Sequence, residues 1–210
     1  MCGRYYIDQE EDLAEMRQIL EEVNRRFQNT AVLDAVRTGE IAPSHIVPVL
    51  RLHTDDKPRV VADLLQWGFP GFKGRSLLIN ARAETAADKP TFRSAVKQGR
   101  VLIPANAFFE WTHDTAGRTG RKMKLYMNDE PTFYMAGLAR YFPEVAGIDP
   151  PIARFVILTT AANTSVAPIH NRMPLIIPRR DLRAWLSNEQ EAQSLLYKPV
   201  QQLLEAKAAG

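Results

Sequence analysis

Residues 108–138 read FFEWTHDTAGRTGRKMKLYMNDEPTFYMAGL and contain three short runs rich in apolar residues. These runs are Phe108–Trp111, Lys122–Met127 and Phe133–Leu138. Each run is long enough for a β-strand and too short for an ordinary helix. Residues that favour turns fill the two intervening segments, Asp114–Gly120 and Asn128–Pro131. The stretch therefore predicts three strands joined by a hairpin loop and a turn.

Similar runs lie on both sides of this stretch. They are Arg59–Trp67, Ser76–Asn80, Arg100–Ile103, Phe155–Thr160 and Pro174–Ile177. Together with the first three they make eight candidate strands at short and fairly regular spacing. This pattern predicts a mostly antiparallel β core that curls or closes into a barrel.

Helices are predicted to flank this core. Asp8 and Glu11 form a capping-box pattern, and apolar residues then recur at helical spacing, which predicts a helix over residues 9–28. A short helix is predicted after Thr91 and another over Asp181–Ser187. The predicted fold class is therefore α+β.

The length of 210 residues suits a single domain. No linker or internal repeat divides the chain, so we predict one domain over residues 1–210, with its core in about residues 1–187. The tail, residues 188–210, has weak apolar content and is predicted to be helical or frayed.

Composition narrows the setting in which the protein works. No apolar run approaches the roughly 18 residues of a membrane span, and acidic residues follow the N-terminus too closely for a signal peptide. A single cysteine cannot form an internal disulfide, which fits a reducing, cytoplasmic location. The net charge of +3 permits nucleic-acid binding without requiring it. One cysteine and no closely spaced histidine pair predict no metal site.

Cys2 has a specific chemical consequence because it follows Met1 directly. Removal of Met1 ahead of so small a residue would leave a terminal 1,2-aminothiol. Its amine, with an ordinary pKa of about 7.7–8.0, is partly neutral at pH 7. Such an amine can form an imine with an aldehyde, and the thiolate can then close a thiazolidine ring. The alternative is a small buried residue with no chemical role.

Three further side chains suit acid–base or binding chemistry. Asn80 ends a predicted strand and offers an acceptor and two donors in a fixed plane. Glu110 stands within an aromatic run, where burial would raise its pKa. His170 lies in a loop before a strand, where it could transfer protons. Each also has an ordinary structural interpretation, as a strand end, an outward-facing carboxylate or a structural histidine.

Several motifs together resemble the SRAP family, named as SOS response-associated peptidases. The matching segments are Met1–Tyr5, Ala42–Ser44, Trp67–Gly68, Asn80–Thr85, Pro104–Ala105, Phe109–Trp111, Ala136–Leu138 and Ile169–Pro174. They run in the family's order from residue 1 to about 178. Each motif alone is weak, but their combination with a cysteine in second position is specific.

The resemblance implies a sensor and shield of abasic sites in single-stranded DNA that forms a thiazolidine DNA–protein crosslink. In this interpretation Cys2 supplies both nucleophiles, Asn80 and Glu110 line the pocket, and His170 is the acid–base group. The reaction modifies the protein itself through lyase-like Schiff-base chemistry, and Met1 is removed by self-cleavage or by an aminopeptidase.

The resemblance also implies how DNA is held. Arg4, Arg82 and Arg172 would contact phosphates, and Trp67 would pack near an exposed base or junction. No cofactor and no membrane contact are expected, and the protein is expected to be a monomer.

Two other functions are compatible with the same residues. A thiol peptidase or autoprotease could use Cys2, His170 and Glu110 to cleave a peptide bond. A nucleic-acid binding module could bind DNA with no catalysis at all. The three functions differ in whether a stable adduct, peptide turnover or neither follows mixing with abasic DNA.

Overall fold

The computed structural model describes residues 2–8, 14–55, 57–71, 76–113, 117–143 and 153–209. Its helices are α1 (Ala14–Arg26), α2 (Ala31–Asp34), α3 (Ala83–Ala86), α4 (Arg93–Gln98), α5 (Leu182–Ser187) and α6 (Glu189–Leu196), with a 3₁₀ turn at Arg179–Asp181. Its strands are β1 (Arg4–Ile7), β2 (Gly39–Ile41), β3 (Ile46–His53), β4 (Arg59–Trp67), β5 (Phe69–Pro70), β6 (Leu77–Leu78), β7 (Asn80–Arg82), β8 (Arg100–Ala105), β9 (Ala107–His113), β10 (Thr119–Tyr126), β11 (Phe133–Tyr141), β12 (Ala153–Ala161), β13 (Arg172–Pro174), β14 (Ile176–Ile177) and β15 (Glu205–Ala208).

The larger sheet closes on itself. Its order is β13-β12-β4-β3-β8-β11-β14, and β11 also pairs with β12, so that β12, β4, β3, β8 and β11 form a ring. Most of these pairs are antiparallel, whereas β12 runs parallel to β4 and to β7. The prediction of an α+β fold with a curled, barrel-like and mostly antiparallel core is confirmed.

Gly137 allows β11 to pair on both sides within this ring. It lies opposite Val101 of β8 and Ile157 of β12. A Cβ atom at this position would lie 2.4 Å from Cδ1 of Ile103 and 3.0 Å from the backbone oxygen of Val156. Because real Cβ atoms do not come so close, a larger residue would push the neighbouring strands away.

A second sheet of five strands, in the order β15-β10-β9-β1-β2, packs beside the ring. The chain passes from β8 in the first sheet to β9 in the second at Asn106. Asn106 fixes this corner because its backbone N–H donates to the oxygen of Tyr6 and its side chain accepts from the N–H of Asp8. Its side-chain amide also donates to the oxygen of Pro131 at 2.8 Å. The start of the chain is thereby anchored against the junction of both sheets.

The helices pack on the outside of the strands. Met16, Ile19 and Val23 are the buried residues of α1 and recur at helical spacing. Asn188 caps α6, since its side chain accepts from the N–H groups of Gln190 and Glu191. Within the described residues, no helix has the length and apolar character needed to cross a membrane.

Most predicted elements are present with altered ends. The helix predicted over residues 9–28 is α1, and its residues 9–13 lie outside the described part of the chain, as does part of the Asp8–Glu11 capping box. The helices after Thr91 and over Asp181–Ser187 are confirmed as α4 and α5. The tail is helical at α6, but the prediction of fraying is wrong for β15, because its backbone pairs with β10.

Candidate functional site

Four elements from both sheets meet at the start of the chain. Cys2 immediately precedes the β1 region, which pairs with β9, where Glu110 lies. Asn80 begins β7, and His170 lies in the loop from β12 to β13; both β7 and β13 pair with β12. The ring therefore contributes one side of the site and the five-stranded sheet the other.

The thiol of Cys2 is completely buried. It donates to the backbone oxygen of Arg4, with a sulfur-to-oxygen distance of 3.6 Å. Burial, and secondarily the negative charge of Glu110, raise the pKa of the Cys2 thiol well above its ordinary value. In this arrangement the sulfur is therefore a protonated thiol, and it needs a proton acceptor before it can act as a nucleophile.

Asn80 and Tyr5 place polar groups next to Cys2. The Asn80 amide donates to the backbone oxygen of Cys2 at 3.0 Å, which fixes the start of the chain. Tyr5 is buried, and burial raises the pKa of its hydroxyl. Neither Oη of Tyr5 nor Oδ1 of Asn80 has a hydrogen-bond partner among the described residues. A buried polar atom without a partner costs about 1–3 kcal/mol, so a ligand that supplied one would bind more tightly.

Glu110 is a buried carboxyl group, with 2% of its surface exposed. It lies on β9 between Phe109 and Trp111, and its register partner is Met123 of β10. Burial raises the pKa of the carboxyl group. A carboxyl group with a raised pKa can give and accept protons closer to neutral pH than an exposed glutamate can.

The ring of His170 is held against the backbone of Arg172. Its Nδ1 atom lies 2.9 Å from the Arg172 nitrogen and 3.2 Å from the Arg172 oxygen, and the tautomer of the ring decides which of the two is a hydrogen bond. Burial lowers the pKa of His170, which favours the neutral ring at pH 7. The ring of His113 meets it edge to face, with 6.0 Å between ring centroids. His113 also lowers the pKa of Glu110 through its charge, so it links the two acid–base groups electrostatically.

Arg172 holds the His170 loop in place through Glu84. Its Nη1 and Nη2 atoms donate to the two carboxylate oxygens of Glu84 at 2.6 and 2.9 Å, and Nη2 also donates to the backbone oxygen of Thr159 at 2.6 Å. Hydrogen bonds to Arg172 lower the pKa of Glu84. This bidentate pair fixes the residue whose backbone orients His170.

A family model described as "SOS response associated peptidase (SRAP)" matches residues 1–209 of this chain. The chain belongs to the SRAP family. The SRAP relative "Abasic site processing protein YoqW" of Bacillus subtilis (strain 168) is 30% identical over 195 residues, which cover 89% of this chain and 80% of that protein. "Abasic site processing protein YedK" of Escherichia coli (strain K12) is 29% identical over 191 residues, covering 90% of this chain and 81% of that protein.

Solved structures share the fold of this SRAP chain. A crystal structure of a protein from Bacteroides thetaiotaomicron matches it with a TM-score of 0.73 and 23% sequence identity, over 99% of this chain and 91% of that one. A crystal structure of a protein from Bordetella bronchiseptica matches with a TM-score of 0.72 and 20% identity, over the full length of both chains. The closed ring and its companion sheet are thus an architecture found in other proteins.

The structure corrects two of the DNA contacts that the resemblance implied for this SRAP protein. Trp67 is fully buried, donates from its indole N–H to the oxygen of Ile79 at 2.9 Å, and packs against Tyr5. It cannot stack on a DNA base from the core, so that role is wrong, and Trp67 instead supports Tyr5. Arg172 is committed to Glu84, so its assignment as a phosphate contact is replaced by a positioning role.

The two remaining arginines are accessible. Arg82 is exposed at the end of β7 and forms no ion pair within the described part of the chain. The side chain of Arg4 is 43% exposed and lies 3.8 Å from a carboxylate oxygen of Glu40. Both stay predicted phosphate contacts of this SRAP chain.

Three residues of the site were not singled out by the sequence analysis. Tyr5 and Glu84 lie inside matching family motifs, and this was the signal that could have identified them. His113 follows Trp111 by two residues, which on a strand places both on one face. His113 contacts the ring of His170 only in the folded chain. The sequence alone therefore does not identify His113 as a residue of the site.

Proposed function

We propose that this SRAP protein forms a covalent crosslink to abasic sites in single-stranded DNA through the terminal amine and thiol of Cys2, once Met1 is removed. The observation that carries the proposal is the anchoring of the chain start by the Asn80 amide, which keeps Cys2 beside Glu110. The names of the SRAP relatives, abasic site processing proteins, support the substrate.

The first steps use the two acid–base groups. An abasic deoxyribose is mostly a closed hemiacetal with a small fraction of open aldehyde. Neutral His170 takes the proton of the C1′ hydroxyl and, as an imidazolium, gives it to the sugar ring oxygen as the ring opens, so the histidine ends neutral. The neutral Cys2 amine attacks the C1′ carbonyl to give a carbinolamine, and Glu110 protonates its hydroxyl, which leaves as water to form the iminium.

Ring closure completes the crosslink. The Cys2 thiol gives its proton to the Glu110 carboxylate as the sulfur bonds to C1′, and the electron pair of the iminium C=N bond returns to the nitrogen, which becomes a secondary amine. Because the pKa of the buried thiol is raised, the nearby carboxylate is needed for this step. The product has no iminium group to promote strand breakage, so the lesion is shielded.

A thiol peptidase differs from the crosslinking function in one requirement. It needs the Cys2 sulfur and a base but not the terminal amine. A binding module without catalysis would not require a buried carboxyl group and a half-buried histidine around the chain start.

Denaturing electrophoresis and intact mass measurement test the proposal. The protein is mixed with a single-stranded oligonucleotide that contains one abasic site, and with the same oligonucleotide intact. We expect a heat-stable adduct with the first only, with a mass equal to the sum of protein without Met1 and DNA minus one water. Peptide turnover without an adduct would favour the peptidase. The absence of both an adduct and peptide turnover would favour simple binding.

Replacing Glu110 by glutamine should slow crosslinking by about 10²-fold or more, since acid–base help of this kind is typically worth about 10²–10⁴-fold.

The same replacement of Glu110 by glutamine should raise Tm at neutral pH. Because burial raises the folded-state pKa, the folded protein binds more protons than the unfolded chain above pH 4.5, and the contribution of Glu110 to stability falls as pH rises.

Thermal unfolding of Glu110→Gln and wild type from pH 4 to 8 measures this effect. The Tm difference should be near zero at the acid end and favour the variant toward neutral pH. Glu21→Gln, at an exposed position on α1, is the control and should match wild type in rate and Tm. A slow variant with a lower Tm at every pH would instead indicate that Glu110 has a structural role.

Replacing Glu84 by glutamine should slow crosslinking by about 10-fold, because the loop carrying His170 loses its anchor and misplacement of a reacting group is costly. Loss of the neutralising charge beside Arg172 should also lower the His170 pKa, which moves the acid limb of the pH–rate profile to lower pH.

The matched control is Glu15→Gln. Glu15 makes a bidentate pair with Arg179, at 2.8 and 2.6 Å and with similar exposure, away from the site. Both substitutions should cost a similar stability of about 1 kcal/mol or less. Equal crosslinking rates and pH profiles in the two variants would remove Glu84 from the positioning role.

A further inference from the structure

The five-stranded sheet has one accessible face on which cations lie over aromatic rings. We call it the cationic face, and the residues that define it are Arg4, Tyr6, Trp111, Lys122, Lys124 and Lys207. The strand register places them together: Lys124 lies opposite Phe109, which lies opposite Arg4, and Lys122 lies opposite Trp111. Lys207 of β15 lies directly opposite Lys124.

The lysine ammonium groups are held on aromatic rings. Nζ of Lys124 is 4.2 Å from the ring centroid of Tyr6, and Nζ of Lys207 is 5.1 Å from that of Tyr126. Nζ of Lys122 is 4.3 Å from the ring centroid of Phe109. Such contacts hold a flexible side chain in place while its charge remains accessible.

Two of these charges have no carboxylate partner among the described residues, and the carboxylate of β15, Glu205, accepts from the Tyr126 hydroxyl at 3.2 Å instead. Glu40 pairs with Lys122 at 2.5 Å and with Arg4 at 3.8 Å. Lys124 and Lys207 form no ion pair with any described residue. Like charges directly opposite each other on neighbouring strands repel, so this pair carries a cost that an anion lying between the two ammonium groups would remove.

The cationic face also leads to Cys2. Arg4, on this face opposite Phe109, follows Cys2 by two residues along the chain. A strand whose reactive sugar lies at Cys2 could thus reach Arg4 and continue across β9 and β10 toward Lys124 and Lys207.

We infer that the cationic face binds the single-stranded DNA next to the lesion, with a phosphate bridging Lys124 and Lys207. This inference rests on the proposed function and adds the path of the strand. The half-buried ring of Trp111, with Nζ of Lys122 at the longer distance of 5.9 Å from its centroid, offers a stacking surface that unpaired bases can use and the stacked bases of a duplex cannot.

The test uses a fluorescently labelled, undamaged single-stranded oligonucleotide and measures its anisotropy over a range of salt concentrations. A Lys124→Ala/Lys207→Ala double variant should lower the slope of log affinity against log salt by about 0.7, the contribution of the one phosphate that the two lysines share on a single strand. At 0.1 M salt this corresponds to a loss of roughly 5-fold in affinity. Crosslinking of abasic DNA at saturating concentration should keep the wild-type yield.

The control is Lys89→Ala/Lys97→Ala, which removes the same charge from exposed positions around α4. It should keep the wild-type slope. Equal losses in the two double variants, or a duplex competitor as effective as the single strand, would overturn the inference. If wild type binds DNA but forms no adduct, the proposed crosslinking fails while the comparison of slopes still decides the binding face.

Discussion

A Cys2→Ala variant should form no heat-stable adduct with abasic single-stranded DNA. Alanine keeps the terminal amine, so a transient imine can still form, but no sulfur is present to close the thiazolidine. An imine hydrolyses on denaturation, and the adduct band should vanish below detection. The expected effect is a complete loss, larger than that for Glu110 or His170, whose contribution to rate is about 10²–10⁴-fold.

The same variant should keep its fold and its binding to undamaged DNA. Cys2 is a small buried side chain, and removal of one sulfur costs on the order of 1 kcal/mol, so Tm should fall by only a few degrees. Salt-dependent affinity for an intact oligonucleotide should equal that of wild type. Borohydride added during the reaction should trap the imine of Cys2→Ala, which separates lost ring closure from lost amine attack. A heat-stable adduct without borohydride would contradict the proposed chemistry.

The strands that could be predicted from sequence are those with continuous apolar or alternating runs. Arg59–Trp67 matches β4 residue for residue, and Phe133–Leu138 lies within β11. Strand β3 was missed although it pairs along its whole length with β4. It contains Pro48, which is ordinarily a sign against a strand because proline has no N–H to donate.

Other elements were missed because distant pairing creates them. The sequence of β15, Glu205–Ala208, is exposed at every position and has no strand pattern of its own. It forms a strand because its backbone pairs with β10. The segment that leads to β15 is fixed by Asn163, whose side-chain amide donates to the oxygens of Val200 and Gln202. Contacts between residues about 40 apart leave no local signal.

The candidate site divides in the same way. The reactive types at Cys2, Glu110 and His170 could be selected from chemistry and from the family motifs, and the fold brings all three to one place. The roles of Trp67 and Arg172 could not be predicted from the sequence, because they depend on the burial of Trp67 and on the ion pair that Arg172 forms. The Arg172–Glu84 pair joins residues 88 apart in sequence, so a cation that suggested a phosphate contact turns out to have its own carboxylate.

An N-terminal extension that stays attached should abolish the adduct as completely as Cys2→Ala does, although every side chain of the site is retained. With residues ahead of it, the Cys2 nitrogen is an amide. Its lone pair is delocalised into the carbonyl, so it cannot attack an aldehyde, and no thiazolidine forms without that nitrogen. A peptidase needs only the sulfur and a base, so it could keep its activity or trim the extension.

The extension should carry a protease site that, when cut, leaves Cys2 as the first residue. One preparation can then be assayed before and after cutting, with intact mass confirming each form. Before cutting we expect binding of DNA without an adduct, and after cutting we expect the adduct at its normal rate. Recovery excludes misfolding as the cause of the loss, because the two forms share the same folded chain. A stable adduct formed by the uncut, intact-mass protein would refute the aminothiol mechanism, since the sulfur alone would then suffice.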